Sequence, residues 1–369
     1  MNFKQTFRKE LCSCLPYVPD ESAADIQEKY NLRHILELGS NENPYGPYKF
    51  ATQAMVESVQ NTNKYPRADF LLLKKLLAQK HHVNPDNIAL GSGAGNVLET
   101  LAKEFIDTDD EVLITKQSYR LYREISRMMG AIVTEIPLTE DYQQDLEAAR
   151  YHISTKTKII WLCNPNNPTG KTIEPQLLEN FIKNLPQNIV VIIDEAYADF
   201  CDSDVMNDLT SQIDKHPIVI VKTFSKFYGL AGARLGYAIA NNEIVKGYDT
   251  VTEPFNTSKV ALAGAIASLT KDSDEAEQNL AKIQSDRLYL SQGLDQLGFQ
   301  VINSQTNFVF AKLPDGLGVA TDFYGKLLQH GVIVRDGTSW GYPTHLRITV
   351  GTHEQVSALL DTISKLVNK

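Results

Sequence analysis

Five short, unbroken apolar runs constrain this chain more than any other feature. They are Ile88-Ala89-Leu90, Val112-Leu113-Ile114, the run at 159–163 ending in Cys163, the run at 189–193, and the run at 218–221 ending in Val221. A strand with one wet face alternates apolar and polar residues; a strand covered on both faces need not. Continuous branched runs therefore predict strands buried on both sides, in a largely parallel sheet covered by helices. Leu98, Leu101 and Phe105, at helical spacing after the first run, supply one such cover. The expectation is a large α/β domain.

Each run stops at a polar cluster. Gly91-Ser92-Gly93-Ala94-Gly95 follows the first, and Gln117-Ser118-Tyr119 lies just beyond the second. The two-proline segment from Asn164 to Gly170 follows the third, Asp194-Glu195 the fourth, and Thr223, Ser225 and Lys226 the fifth. In open α/β sheets, ligands bind outside the carboxyl ends of the strands. One polar loop means little, because loops are polar anyway. Five in succession, each with chemically specific residues, point to one shared site.

Beyond about residue 260 the texture changes. A long helix is expected over 275–297. Short strands are expected at Val301-Ile302, Phe308-Val309-Phe310, Val332-Ile333-Val334 and Leu346 to Val350. Thr352 and Gln355 form a capping-box pattern before Val356, Leu359, Leu360, Ile363 and Leu366, which share one helical face. This reads as a smaller α+β domain. The first 30 residues lack a sustained period and contain Pro16 and Pro19, so they read as an arm. A chain of 369 residues exceeds what one core usually covers. The expected division is an arm at 1–30, a large domain at 31–260, and a small domain at 261–369 packing with the arm.

The formal net charge of −9 disfavours nucleic acid or an anionic membrane as a partner. The N-terminus is charged throughout and lacks an apolar segment, and no apolar run approaches bilayer length. The cytoplasm is therefore the expected location. Cys12 and Cys14 have no second ligand pair at zinc spacing, so no metal is expected.

Lys226 sits among small and hydroxylic residues just after a buried strand. Desolvation and a nearby cation would lower its pKa and supply the neutral amine that Schiff-base chemistry needs. Thr223, Ser225 and Arg234 suit a phosphate dianion. Asp194, straight after five apolar residues, needs a partner: either it caps a following helix, or it pairs with a cationic ring nitrogen. Tyr197 and Asn167 are placed to reach a phenolic oxygen of the same ring, and Tyr119 to stack on it. Ala94 and Gly95 open a predicted helix whose N–H groups can cradle a phosphate; a dinucleotide site is the other use of such a loop. Arg335 and Arg347, in apolar strand patterns, call for carboxylate partners from the protein or a substrate. Together these residues suggest pyridoxal 5′-phosphate bonded covalently to Lys226.

The segments 40–47 (Ser-Asn-Glu-Asn-Pro-Tyr-Gly-Pro), Tyr65-Pro66, 164–170, Asp194-Glu195-Ala196-Tyr197, Ser225-Lys226 with Arg234, and 346–351 together resemble the fold type I pyridoxal-phosphate aminotransferases. Histidinol-phosphate aminotransferases and their relatives are the nearer resemblance. It implies an aspartate-aminotransferase-like fold. It implies that Lys226 holds the cofactor and moves the α-proton, that Asp194 holds the ring-nitrogen proton, and that Tyr197 and Asn167 bind the phenolic oxygen. Tyr119 would stack on the ring. Ala94, Gly95, Thr223, Ser225 and Arg234 would bind the phosphate, with Tyr65 reaching it from the other subunit of a homodimer. Arg347 would take the substrate carboxylate. Tyr17, Asn43, Asn167 and Arg335 would complete the substrate site. Where such proteins commonly carry two acids after the small residue of the phosphate loop, this chain has Gly95-Asn96.

The resemblance implies a ping-pong exchange between glutamate and histidinol phosphate in histidine biosynthesis. An aromatic amino acid aminotransferase and a phosphorylated-threonine decarboxylase of the same fold are the alternatives. A non-catalytic relative and a dinucleotide-dependent oxidoreductase fit less well, because neither needs Lys226, Asp194 and Arg347 together.

Overall fold

Seven strands form the central sheet of the computed structural model, which describes residues 3–14, 16, 21–202 and 204–368. Their order across the sheet is Ile88–Gly91, Gly236–Ala240, Ile218–Thr223, Val190–Asp194, Thr157–Cys163, Glu111–Thr115 and Ile132–Ile136. The last five are mutually parallel. Gly236–Ala240 runs antiparallel to both its neighbours. The fold is α/β with a mostly parallel sheet, as the continuous apolar runs require.

Both faces are covered. Val112, Trp161, Cys163, Ile192 and Val221 pack under the helices Ala94–Phe105 and Leu121–Met128. Leu113, Ile160, Ile193 and Ile220 pack under Leu71–His81 and Pro175–Lys183. Every residue of Val190–Asp194 is buried. Burying each Val or Ile stabilises the fold by roughly 1.5–3 kcal/mol, and the charge that ends the strand would cost several kcal/mol if unpaired. That is why Asp194 must find partners.

Two strands of this sheet were not expected. Ile132–Ile136 is the outer edge, interrupted by Thr134 and Glu135 and only partly buried. Gly236–Ala240 is built on a glycine and two alanines around Tyr237 and Ile239, so it carries one branched residue where its neighbours carry runs of them. Near the N-terminus, Ala23–Tyr30 is a helix opened by a capping box between Ser22 and Asp25. Only Ile26 of that helix is buried, so it has no apolar period to read.

A second sheet holds Arg335–Asp336, His345–Thr349, Phe308–Lys312 and Gln300–Ile302, in that order and antiparallel. Its core includes Phe308, Val309, Leu346 and Ile348, with Ile283 and Leu290 from the helix Ser273–Gln296. The strand expected at 332–334 forms at Val332–Ile333, and a second, unexpected strand follows it at Arg335–Asp336. Val332–Ile333 pairs with Leu36–Glu37, and Arg335–Asp336 pairs with His345–Thr349. The last helix, His353–Val367, has the expected capping box of Thr352 and Gln355 and buries Val356, Leu359 and Ile363. Among the described residues, no helix is long and apolar enough to cross a membrane.

Candidate active site

Strand register brings the polar clusters together. Cys163, Asp194 and Val221 lie side by side at the ends of three adjacent parallel strands. Thr223 pairs with Gly236, and Gly236 with Gly91, which places the Gly93 turn beside the loop that carries Lys226. A Cβ on Gly236 would collide with the backbone of Gly93 and Ala94, so the helix N-terminus can approach only a glycine.

Asp194 is buried, and its carboxylate has two partners. Oδ2 accepts from the Tyr122 hydroxyl at 2.7 Å, and Oδ1 from the Ala196 N–H at 3.1 Å. Burial pushes its pKa up, and the Tyr122 hydrogen bond opposes that shift. Among the described residues no cation hydrogen-bonds it, and the helix-cap reading fails because its backbone partner lies in a turn.

Alternation along the strands splits two neighbouring acids. Asp194 and Thr223 share one sheet face; Glu195 and Lys222 share the other and form a buried ion pair of 3.0 Å. Asp199 and His81 join that rear group, which borders a cavity of about 230 Å³.

Lys226 is partly exposed and donates from Nζ to the Ser40 carbonyl at 2.9 Å. Burial first, then the Arg347 cation, lowers its pKa to about 8. Tyr197 is buried, its hydroxyl accepts from Asn41 Nδ2 at 3.0 Å, and burial keeps it a phenol. Lys226 Nζ lies 5.8 Å from the centroid of the Tyr197 ring.

Arg347 donates from Nη1 to Asn167 Oδ1 at 2.7 Å and from Nη2 to the Gly39 carbonyl. Its Nε is buried and has no partner among the described residues. The guanidinium lies 5.2 Å from the Trp340 ring centroid and 5.4 Å from that of Phe308. Asn167 thus spends its side-chain oxygen on Arg347.

The other expected residues fall as follows. Arg234, in a left-handed conformation (φ 56°), donates to Ser225 Oγ at 3.3 Å and sits against Gly93. The Thr223 hydroxyl is used within the loop, accepting from the Ser225 N–H at 3.0 Å and donating to Leu235 O at 3.4 Å. Ala94 and Gly95 open the helix Ala94–Phe105. Asn96, standing where an acid was expected, accepts from the Ser92 N–H at 3.0 Å and closes the turn. Tyr119 is half-exposed, edge-on to Tyr122 at 5.6 Å. Asn43 ties loops together, donating from Nδ2 to the Phe227 carbonyl and the Tyr48 hydroxyl and accepting from the Tyr45 N–H. Arg335 lies directly opposite Arg347. Tyr65 stands apart, 78% exposed and stacked on Phe255. Tyr17 lies outside the described residues.

The model of the family "Aminotransferase class I and II" matches residues 33–363. The chain belongs to the class I and II aminotransferases. It is 35% identical to the histidinol-phosphate aminotransferase of Caldicellulosiruptor saccharolyticus over 347 residues, 94% of this chain and 95% of the relative. It is also 35% identical to that of Anaeromyxobacter sp., over 97% and 98% of the two chains. Among solved structures, the histidinol-phosphate aminotransferase of Sinorhizobium meliloti in complex with pyridoxal-5′-phosphate matches with a TM-score of 0.90 at 25% identity, covering 98% and 97% of the two chains.

Sequence reasoning missed several residues that this aminotransferase gathers around the site. Tyr122 and Asn41 are the main ones, with Lys222 and Glu195 behind. The one-turn spacing of Tyr119 and Tyr122 was the available signal, since it places the second tyrosine beside the first.

Proposed function

We propose that the chain is a pyridoxal 5′-phosphate-dependent transaminase exchanging the amino groups of histidinol phosphate and glutamate, through imidazole-acetol phosphate and 2-oxoglutarate, in histidine biosynthesis. The residues present fit the cofactor. Asp194 is a buried carboxylate with no hydrogen-bonded cation among the described residues, Lys226 is an amine of lowered pKa, and Arg234 with Ser225 and the Ala94 helix N-terminus forms an anion cradle. When bound, pyridoxal phosphate supplies an electron sink for the electrons released at the substrate's α-carbon.

Each side chain then has a definite task. Lys226 Nζ takes the proton from the α-carbon and returns one during the second half-reaction. Asp194 holds a proton on the ring nitrogen. The Tyr197 hydroxyl and Asn167 Nδ2 would hold the phenolic oxygen, and Tyr119 would cover the ring. Arg347 orients the substrate, and Arg335 reads its second anionic group. Asn43, which braces the loop beside Lys226, stands at the edge of the proposed substrate site.

The observation that carries the substrate reading is the pair of directly opposed arginines, Arg335 and Arg347. Two adjacent cations suit a donor or acceptor with an anionic group besides the reacting carbon. The names of the relatives support the same substrate. We also infer a homodimer in the cytoplasm, divided into the arm, the 31–260 domain and the 261–369 domain. Val56, Val59, Tyr65, Leu72 and Phe255 are exposed apolar or aromatic side chains available to a second copy.

The test is a substrate panel with the purified protein. Histidinol phosphate with 2-oxoglutarate should be the fastest pair, with visible absorbance that Lys226→Ala removes. Good transamination of phenylalanine with little of histidinol phosphate would replace the substrate reading with an aromatic one. A colourless wild-type protein would sink the cofactor reading.

A further inference from the structure

We infer that Tyr122 is a positioning residue that keeps Asp194 ionised and turned toward the ring nitrogen of the bound cofactor. The inference rests on the cofactor reading above. Tyr122 makes the single side-chain hydrogen bond to Asp194 found among the described residues, 2.7 Å from hydroxyl to Oδ2. The second contact, from the Ala196 N–H, is backbone and common to any residue there. Lys222 acts on Asp194 through space and is itself tied to Glu195 on the opposite sheet face.

Packing fixes the donor. The Tyr122 ring is buried and stacks on Trp161 with 5.4 Å between centroids and 8° between planes. Trp161 is pinned in turn by Nε1–H donating to Ser126 Oγ at 3.1 Å. Tyr122 and Ser126 are four residues apart on the helix Leu121–Met128, so one helical face supplies both contacts. Tyr119 meets the Tyr122 ring edge-on from the turn before that helix. One short segment therefore supplies both the aromatic cover of the site and the donor that holds its carboxylate.

The direction of proton donation is settled by the groups around Asp194. These are Tyr122, Cys163, Tyr197 and Lys222. Burial pushes the Tyr122 phenol well up and the Cys163 thiol up to about 12, and Tyr197 is also raised, so all three stay neutral near pH 7. Burial raises Asp194, and the Tyr122 hydrogen bond is the largest influence opposing it. A hydrogen bond to a charged group in such a site is worth enough to change affinity by about tenfold to hundredfold.

Tyr122→Phe keeps the ring and its stack on Trp161 and removes only the hydroxyl. Pyridoxal phosphate affinity is measured by quenching of tryptophan fluorescence in the apo chain. The pH at which the visible band of the loaded protein changes is followed by absorbance. Both are repeated in an Asp194→Asn background. The expected result is a loss of affinity of about tenfold to hundredfold with a shifted spectral transition when Asp194 is present, and less than about a twofold loss when it is Asn. Equal losses in both backgrounds, no loss with Asp194, or a Tyr122→Phe chain that fails to fold would overturn the inference by showing the hydroxyl to be structural or idle. A wild-type chain that binds no pyridoxal phosphate would overturn the cofactor reading and this inference with it.

Discussion

Arg335 and Arg347 stand directly opposite each other on neighbouring antiparallel strands, so two guanidinium side chains share one face of the small sheet. Like charges so placed disfavour one another. Burial first, then Tyr197 in the opposite sense, then Arg335, act on Arg347, whose pKa falls to about 10. An anionic substrate relieves that repulsion. Arg347→Gln is expected to lower kcat/KM by about a thousandfold, the scale of a lost charge-assisted bidentate contact. Arg335→Gln should raise KM about tenfold for a phosphorylated donor, and much less for its dephosphorylated form. Steady-state kinetics with both donors checks this; equal effects on the two would remove Arg335 from phosphate recognition.

The lowered pKa of Lys226, about 8 against an ordinary 10.5, has a sign that can be measured. Between those values the folded apo chain binds fewer protons than the unfolded chain, so its stability rises with pH across the window. Below about pH 8 the full penalty of the buried charge is present; above 10.5 it is gone. Lys226→Met should flatten that rise, worth about 2 kcal/mol after allowance for partial exposure of the amine. Urea denaturation at pH 8 and pH 10.5 on both proteins measures it. A parallel slope in the variant would assign the rise to other groups.

Gly93 has φ 86°, and a Cβ there would fall on the Arg234 guanidinium. Gly93→Ala is expected to weaken pyridoxal phosphate binding at least about tenfold, through displaced Arg234 and roughly 1–2 kcal/mol of backbone strain. Gly232, whose Cβ would meet nothing within 4 Å, is the control and should tolerate alanine. Cofactor titration of both variants decides. Equal affinities would show that the Gly93 turn adjusts freely.

Tyr65 is well exposed and stacked on Phe255, outside the cluster around Lys226. If it completes the site of a second copy, Tyr65→Ala and Lys226→Ala chains should complement one another. Mixed dimers would contain one intact site and one doubly altered site. Mixing equal amounts of the two weak or inactive proteins under exchange conditions should restore about a quarter of wild-type activity, since about half the dimers are mixed and each has one intact site of two. No recovery on mixing, with exchange verified by mass, would remove Tyr65 from a shared site.

Much of the sheet was readable because burial on both faces writes uninterrupted branched runs. Ile192 and Ile220 needed no partner information to be placed. Gly236 to Ala240 was not readable, since Gly236 stays small to let the Gly93 turn approach and alanines interrupt the branched pattern. Asp194 was readable as a charge stranded after apolar residues. Its partner was not, because a tyrosine on a helix resembles ordinary core until its hydroxyl is seen against a carboxylate 72 residues away. Asn43 was readable as part of a motif, but its bonds to the Phe227 carbonyl and the Tyr45 N–H, which tie loops together, were not. The strand expected at 332–334 forms at Val332–Ile333, but the separate strand Arg335–Asp336 just after it was not readable, because it pairs in a different sheet, which a local pattern cannot express.

Asp194 and Glu195 are adjacent in the chain but face opposite sides of the sheet. A slip of one residue in the register of Val190–Asp194 would exchange them. Glu195 would enter the aromatic recess of Tyr122, and Asp194 would be carried toward Lys222. Such a chain could remain as apolar inside and as tightly folded, yet its charges would be inverted front to back. The pairing of one central strand with its neighbours thus determines which acid addresses the ligand and which merely neutralises a lysine.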